Sequence, residues 1–158
     1  MSFVIEEFRS EHAAAFDALN RAWLVGFGLI EHHDEEQLQN PWKEILEPGG
    51  QIFVASNGRE AIGVCAAIPH GPGAFEVAKL AVAPSAQGQG VGRRLVEQCL
   101  HCARERGAER VVLVSSSKLQ AALRLYASMG FQSGPLPADV PYETADVYME
   151  LDLRTPVN

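Results

Sequence analysis

The sequence lacks most of what marks an exported, membrane-bound or disulfide-stapled chain. It has three cysteines, Cys65, Cys99 and Cys102, an odd number set inside apolar patterns, which suits reduced buried thiols. Cys99 and Cys102 form a C-x-x-C deep in a helical pattern, not at a helix start where a thiol is acidified, so a redox or metal role is not expected. No window approaches the roughly 18 apolar residues of a spanning helix, and the opening MSFVIEEFRS has no cationic stretch leading into an apolar run. The expectation is a cytoplasmic protein with no membrane association. Repeats, low-complexity tracts and long linkers are also missing, so residues 1–158 read as a single domain.

Basic charge is scarce at one end. Residues 1–50 hold three basic residues, Arg9, Arg21 and Lys43, against ten acidic ones, while the remainder holds ten of each. The whole net charge of −7 therefore sits in the first third. Such a chain repels nucleic acid and anionic membranes.

What is present is an alternation of strand and helix signals. FVIEEF reads as a strand, followed by a helix capped by Ser10 with Phe16, Leu19, Trp23, Leu24 and Phe27 along one stripe. DEEQLQNPWKEILEPGG reads as a shorter helical region broken at Pro41. QIFVAS, AIGVCAAI and AFEVAKLAVA form a meander of three strands. A helix from Val91, the strand VVLVS, a helix through Leu119–Met129 and two closing strands, FQS and DVYMELDL, complete the order. This predicts an α/β (α+β) fold with a mixed, mostly antiparallel sheet and helices on both faces.

Between the third meander strand and the next helix stands LAVAPSAQGQGVGRRL. A helix N-terminus presents unpaired N–H groups and a partial positive charge, and glycines let a phosphate approach the backbone. No lysine follows as a P-loop requires, and the spacing is G-x-G-x-G where a dinucleotide fingerprint needs G-x-G-x-x-G. What remains is Q-x-x-G-x-G at Gln87, Gly90 and Gly92.

With LYASMGF at Leu125–Phe131, in the pattern L-Y-x-x-x-G-F, this motif resembles the GNAT superfamily of coenzyme A-dependent N-acetyltransferases. The resemblance is good from about Gln51 to Phe131; before that it rests on element order alone. It implies a sheet of six to seven strands with a splayed parallel pair, here AFEVAKLAVA and VVLVS, whose wedge receives pantetheine. It implies acetyl-CoA as co-substrate and no metal. Backbone groups of Leu80, Ala81 and Val82 would bond pantetheine. The N–H groups of Gln87, Gly88, Gln89, Gly90, Val91 and Gly92 would hold the pyrophosphate, with Arg93 and Arg94 adding charge. Tyr126 takes the position of the phenol that protonates the departing thiolate.

Glu76 is the candidate base, since some members carry a glutamate there and others work through water. Strict alternation puts it on one face with Ala78, Leu80 and Val82. The family's frequent asparagine is replaced by Leu119, with Ser116, Ser117 or Lys118 as stand-ins. His32, His33 and Asp34 have no i, i+4 ligand pair and read as a solvated turn. Trp23, Phe27 and Trp42 suit core packing, in a region that lines the acceptor pocket in the family, and Tyr142 could approach the same pocket.

The expected function is direct acetyl transfer to a small-molecule or peptide amine. Glu31, Asp34, Glu35 and Glu36 would steer a cationic acceptor. The second reading is a non-catalytic acyl-CoA-binding module. Dimers are common in the superfamily, so a homodimer is compatible with the resemblance.

Overall fold

The strand segments pair into one seven-stranded sheet in a computed structural model that describes residues 2–141 and 143–154. Its strands are β1 (Val4–Glu7), β2 (Gln51–Ser56), β3 (Ala61–Pro69), β4 (Ala74–Val82), β5 (Arg110–Ser115), β6 (Gln132–Gly134) and β7 (Val147–Asp152). They lie in the order β1-β2-β3-β4-β5-β7-β6. Every neighbouring pair is antiparallel except β4 with β5. The helices are α1 (Ala13–Gly26), α2 (His32–Gln39), α3 (Val91–Glu105) and α4 (Gln120–Ser128), with a π turn at Trp42–Leu46 after Pro41. No helix among the described residues is long and apolar enough to cross a membrane.

Period-two alternation sorts the strand side chains into two apolar sets. On one face Ile52, Val54, Val64, Ala66, Ile68 and Ala81 pack with Phe16 of α1, Leu38 of α2 and Ile45. On the other, Phe53, Cys65, Val77, Val111 and Leu113 pack against Val91, Leu95, Val96 and Cys99 of α3 and Tyr126 of α4. The close seat of α3 depends on Gly63, where a Cβ would meet Val91 Cγ1 at 2.9 Å and Leu95 Cδ1 at 3.0 Å. All three cysteines are free and buried, and burial pushes the Cys99 and Cys102 thiols up, away from the reactive thiolate.

The entry to α1 differs from the sequence expectation. Ser10 begins a 3-10 turn, Ser10–His12, and the backbone N–H of Arg9 donates to His12 Nδ1 at 2.9 Å. Arg9, not Ser10, is therefore the N-cap residue, and the imidazole at the third position of the turn accepts its N–H. Its Nε2 lies 3.0 Å from Glu6 Oε1, which ties the turn to β1.

A second difference lies in β4. Ala66 pairs with Ala78 and Val64 with Ala81, so Lys79 and Leu80 together oppose Cys65 alone, as in a β-bulge. Lys79 has φ of 58°, a left-handed conformation uncommon outside glycine. Alternation reverses there. Glu76, paired with Ile68 and Val112, shares the α1/α2 face with Ala78 and Ala81, while Leu80 and Val82 belong to the α3 face. The strict alternation that grouped Glu76 with Leu80 and Val82 fails because the bulge inserts one residue.

Lys79 forms an ion pair with Asp34 of α2, and the two side chains are 5% and 3% exposed. The second carboxylate oxygen of Asp34 accepts the Glu31 N–H at 2.9 Å, at the start of α2. Removing one member of a buried pair leaves an uncompensated charge at a cost of about 3–5 kcal/mol, whereas an apolar pair is often neutral. Asp34→Ala is expected to lose about that much in urea unfolding, and Asp34→Leu combined with Lys79→Met to recover most of it. A stability in Asp34→Ala equal to the parent's would mean that the pair carries no structural burden.

Candidate active site

The parallel register between β4 and β5 covers only Ala74–Glu76 against Arg110–Val112. Beyond it the strands separate, and the gap is the centre of the site. Two hollows meet there, sharing Trp23, Leu80 and Ala122. One is bordered by Asn20, Trp23 and Leu24 of α1, Asp34 of α2, Glu76–Leu80, Val114–Ser116 and Tyr126. The other runs along Leu80–Val82 to Gln87, Gly88, Gly90, Val91, Gly92 and Arg93. The cavity therefore passes through the sheet from the α1/α2 face to the α3/α4 face.

The glycine-rich turn has the form its sequence suggested. Gly88 and Gly90 have φ of 78° and 82°, and a Cβ at either would meet nothing within 4 Å. Gly90 is the N-cap of α3, so the glycines shape a backbone bend that leaves the first N–H groups of a 15-residue helix open. Gly92 keeps Leu125 and Val82 close, at 3.4 and 3.8 Å from its would-be Cβ. Gln87 Nε2 donates to Val82 O at 3.2 Å and Gln89 Nε2 to Ser85 O at 3.4 Å. Both amides brace the turn. Arg93 lines the groove and donates to Ser128 Oγ at 2.6 Å, whereas Arg94 sits 5.3 Å over the Phe3 ring and is spent on packing.

Tyr126 is 7% exposed, packs edge-on to Phe131 at 5.8 Å and borders the gap. Its hydroxyl has no hydrogen-bond partner among the described residues. Burial, with the Cys65 and Cys99 thiols adjoining, pushes its pKa well up, so it is a phenol at any physiological pH. Glu76 borders the same cavity from the opposite face. Burial raises its pKa, and the charges of His70 and Lys79 offset only part of that rise. Its carboxylate makes no hydrogen bond or ion pair among the described residues.

The profile described as the Acetyltransferase (GNAT) family matches residues 12–131. The chain belongs to this family. Among its relatives, N-acetyltransferase 8F1 of Rattus norvegicus is 36% identical over 95 residues, 57% of this chain and 43% of that protein. The chain thus spans less than half the length of that relative. The uncharacterized N-acetyltransferase C1271.07c of Schizosaccharomyces pombe is 31% identical over 142 residues, covering 87% of this chain and 86% of that one. The structure of yncA from Salmonella typhimurium, solved with acetyl-CoA, has the same fold, with a TM-score of 0.74 at 21% identity over 100% of this chain and 98% of that chain.

Within this GNAT frame, several residues take other posts than expected. Leu119 borders the cavity together with Ser116. Ser117 is committed to Asp146 through its N–H at 2.7 Å and its hydroxyl at 2.6 Å, and Lys118 Nζ donates to Phe27 O at 3.4 Å. Of the three stand-ins Ser116 alone lines the cavity, and its Oγ accepts the Lys118 N–H at 3.2 Å. Trp23 lines both hollows, with the exposed Phe27 packed on it at 5.1 Å. Trp42 packs instead on Phe8 at 5.3 Å and is largely exposed. Tyr142 lies outside the described residues.

The acidic run is largely spoken for. Glu31 accepts the N–H groups of Glu143 and Thr144 at 2.8 and 2.9 Å and the Thr144 hydroxyl. Asp34 holds Lys79, and Glu35 takes Arg21 in a two-pronged contact at 2.7 and 2.8 Å. Glu36 lies 3.1 Å from His32 Nε2. Among the described residues no group of three or more His, Cys, Asp or Glu is arranged to hold a metal ion. Lys79 and Asn20 were not picked out as site residues; a lysine inside the apolar strand FEVAKLAV was the available signal.

Gly90→Glu sets an anionic side chain at the open helix start, where nothing lies within 4 Å of the new Cβ but the positive φ costs some stability. The protein is expected to fold, with coenzyme A affinity reduced by tenfold or more in calorimetry. Parental affinity in the folded variant would remove the pyrophosphate from this turn.

Proposed function

We propose that the protein is an N-acetyltransferase that moves an acetyl group from acetyl-CoA directly to a primary amine. The observation that carries the reading is the gap between β4 and β5, where the glycine turn's groove, the Tyr126 phenol and the Glu76 carboxylate border one continuous cavity. The open N–H groups from Gln87 to Gly92 suit a pyrophosphate, and the backbone of Leu80–Val82 suits the pantetheine amides. Membership of the GNAT family supports the donor.

The residues divide the proton traffic between the two faces of the sheet. Glu76 receives the acceptor as an ammonium ion and draws off a proton to leave a nucleophilic amine. A carboxylate raised by burial is a stronger base than an ordinary one, which narrows the gap to an ammonium. As the new C–N bond forms and the C–S bond breaks, Tyr126 gives its proton to the departing sulfur. The phenol is regenerated from solvent once the second amine proton has left. No cysteine borders either hollow, which favours direct transfer over an acyl-enzyme.

A general acid contributes roughly 10²- to 10⁴-fold. Tyr126→Phe is expected to lower kcat by a factor in that range with little change in KM for acetyl-CoA, measured by thiol release and by mass of the acetylated product. An unchanged kcat would return Tyr126 to a packing role. Absence of turnover in the parent, with coenzyme A still bound, would favour the binding-module reading.

Glu76 works only as a carboxylate, and burial raises its pKa. In kcat/KM for the acceptor, which reports the free enzyme, the rate should fall as pH drops through that raised value, giving an acid limb above the ordinary glutamate value of about 4.3. Glu76→Gln is expected to lower kcat and abolish this limb. An acid limb that survives the substitution would assign it to another group and leave deprotonation to water.

A further inference from the structure

We infer that the acceptor is a primary amine with a single positive charge on an apolar body of about aromatic size, and neither a polycation nor an amino acid. This rests on the N-acetyltransferase reading above and narrows it. On the α1/α2 side of the cavity Lys79, the one cationic side chain among the lining residues, is held by Asp34. Asn20 Nδ2 donates to Phe16 O at 3.0 Å, and the Thr144 N–H and hydroxyl go to Glu31. A carboxylate on the acceptor finds no uncommitted cation among these lining residues and would lie near Glu76 and Asp34.

Acceptors are better represented. Asn20 is 1% exposed and borders the cavity; with one N–H given to Phe16 O, its amide brings a carbonyl acceptor beside its second N–H. Glu76 is a carboxylate without a hydrogen bond or ion pair among the described residues. An ammonium group, with three donors and no acceptor, matches this set, and a buried carboxylate gains from a cationic partner. There is one such carboxylate, so one positive charge is matched. A second or third ammonium would enter a wall made by Trp23, Leu24, Leu29 and Ala145. The carboxylates expected to attract a polycation, Glu31, Asp34 and Glu35, are bound to Thr144, Lys79 and Arg21. The Trp23 indole, extended outward by Phe27 at 5.1 Å, is a surface on which an apolar or aromatic body packs.

Matched compounds separate these features. 2-Phenylethylamine carries the ammonium and the ring; phenylalanine adds a carboxylate to the same body; spermidine replaces the ring with further charges. Each is titrated calorimetrically into protein saturated with coenzyme A, and each is offered with acetyl-CoA while product is followed by mass. 2-Phenylethylamine is expected to bind at least tenfold more tightly than either of the others. Its affinity should drop tenfold or more in Glu76→Gln, whose retained coenzyme A affinity certifies the fold. Equal or tighter binding of phenylalanine or spermidine, failure of all three to bind, or an unaffected Glu76→Gln protein would overturn the inference. Selective binding without acetylation would refute the transferase reading and uphold this one. Efficient acetylation of spermidine with poor use of 2-phenylethylamine would do the reverse.

Discussion

The site depends on one irregularity in β4 and on the ion pair that accompanies it. The bulge at Lys79–Leu80 turns the first half of the strand toward α1 and α2 and the second half toward α3. A regular strand would put Glu76 on the same face as Leu80 and Val82, and only one side of the sheet could then carry chemistry. With the bulge, Glu76 addresses one face and Val82 the other, and the gap between β4 and β5 connects them. Lys79 is held in a left-handed conformation, a strained state that persists where surrounding contacts over-determine it. The buried contact with Asp34 is one such constraint, and through the Glu31 N–H it also fixes the start of α2.

Much of the architecture was legible because it follows from periodicity and punctuation. The three meander strands, the glycine-rich turn, the apolar stripe of α3 and the break at Pro41 all came from local patterns that tertiary contacts did not override. The shape of the glycine-rich turn was legible too, since its motif is short and contiguous and fixes a backbone bend that depends on few side chains. The acceptor side was not. Glu76's face could not be derived because the bulge is specified by pairing with β3 across a turn; nothing in AKLAV announces an extra residue. Ser10 looked like a cap because hydroxyls commonly are, yet Arg9 holds the N-cap position and its N–H goes to His12, which also meets Glu6.

Charge counting gives totals without partners. Ten acidic residues in the first fifty suggested a field that gathers cations. Folding pairs several of them. Asp17 and Glu35 flank Arg21, Glu6 meets His12, and Glu31 serves as an acceptor for backbone N–H groups. The surplus shown by composition is thus partly an inventory of structural carboxylates. Among the carboxylates that border the cavity, Asp34 is paired and Glu76 has no ion pair among the described residues. Glu76 comes from the half of the chain whose charges balance.

The clasp made by Glu31 bears on the order in which the molecule assembles. Its contacts to Glu143 and Thr144 join residues more than a hundred positions apart, whereas β4, the glycine turn, α3, β5 and α4 follow one another along the chain. Closing such a distant contact carries the larger loop entropy and belongs to the slow part of folding. The same asymmetry applies to the native protein. The residues beside the cavity at Thr144 and Ala145 are held from two directions, by Glu31 on one side and by the bonds of Asp146 to Ser115 and Ser117 on the other, so this wall is closed by contacts distant in sequence while the glycine turn and α3 rest on neighbours along the chain.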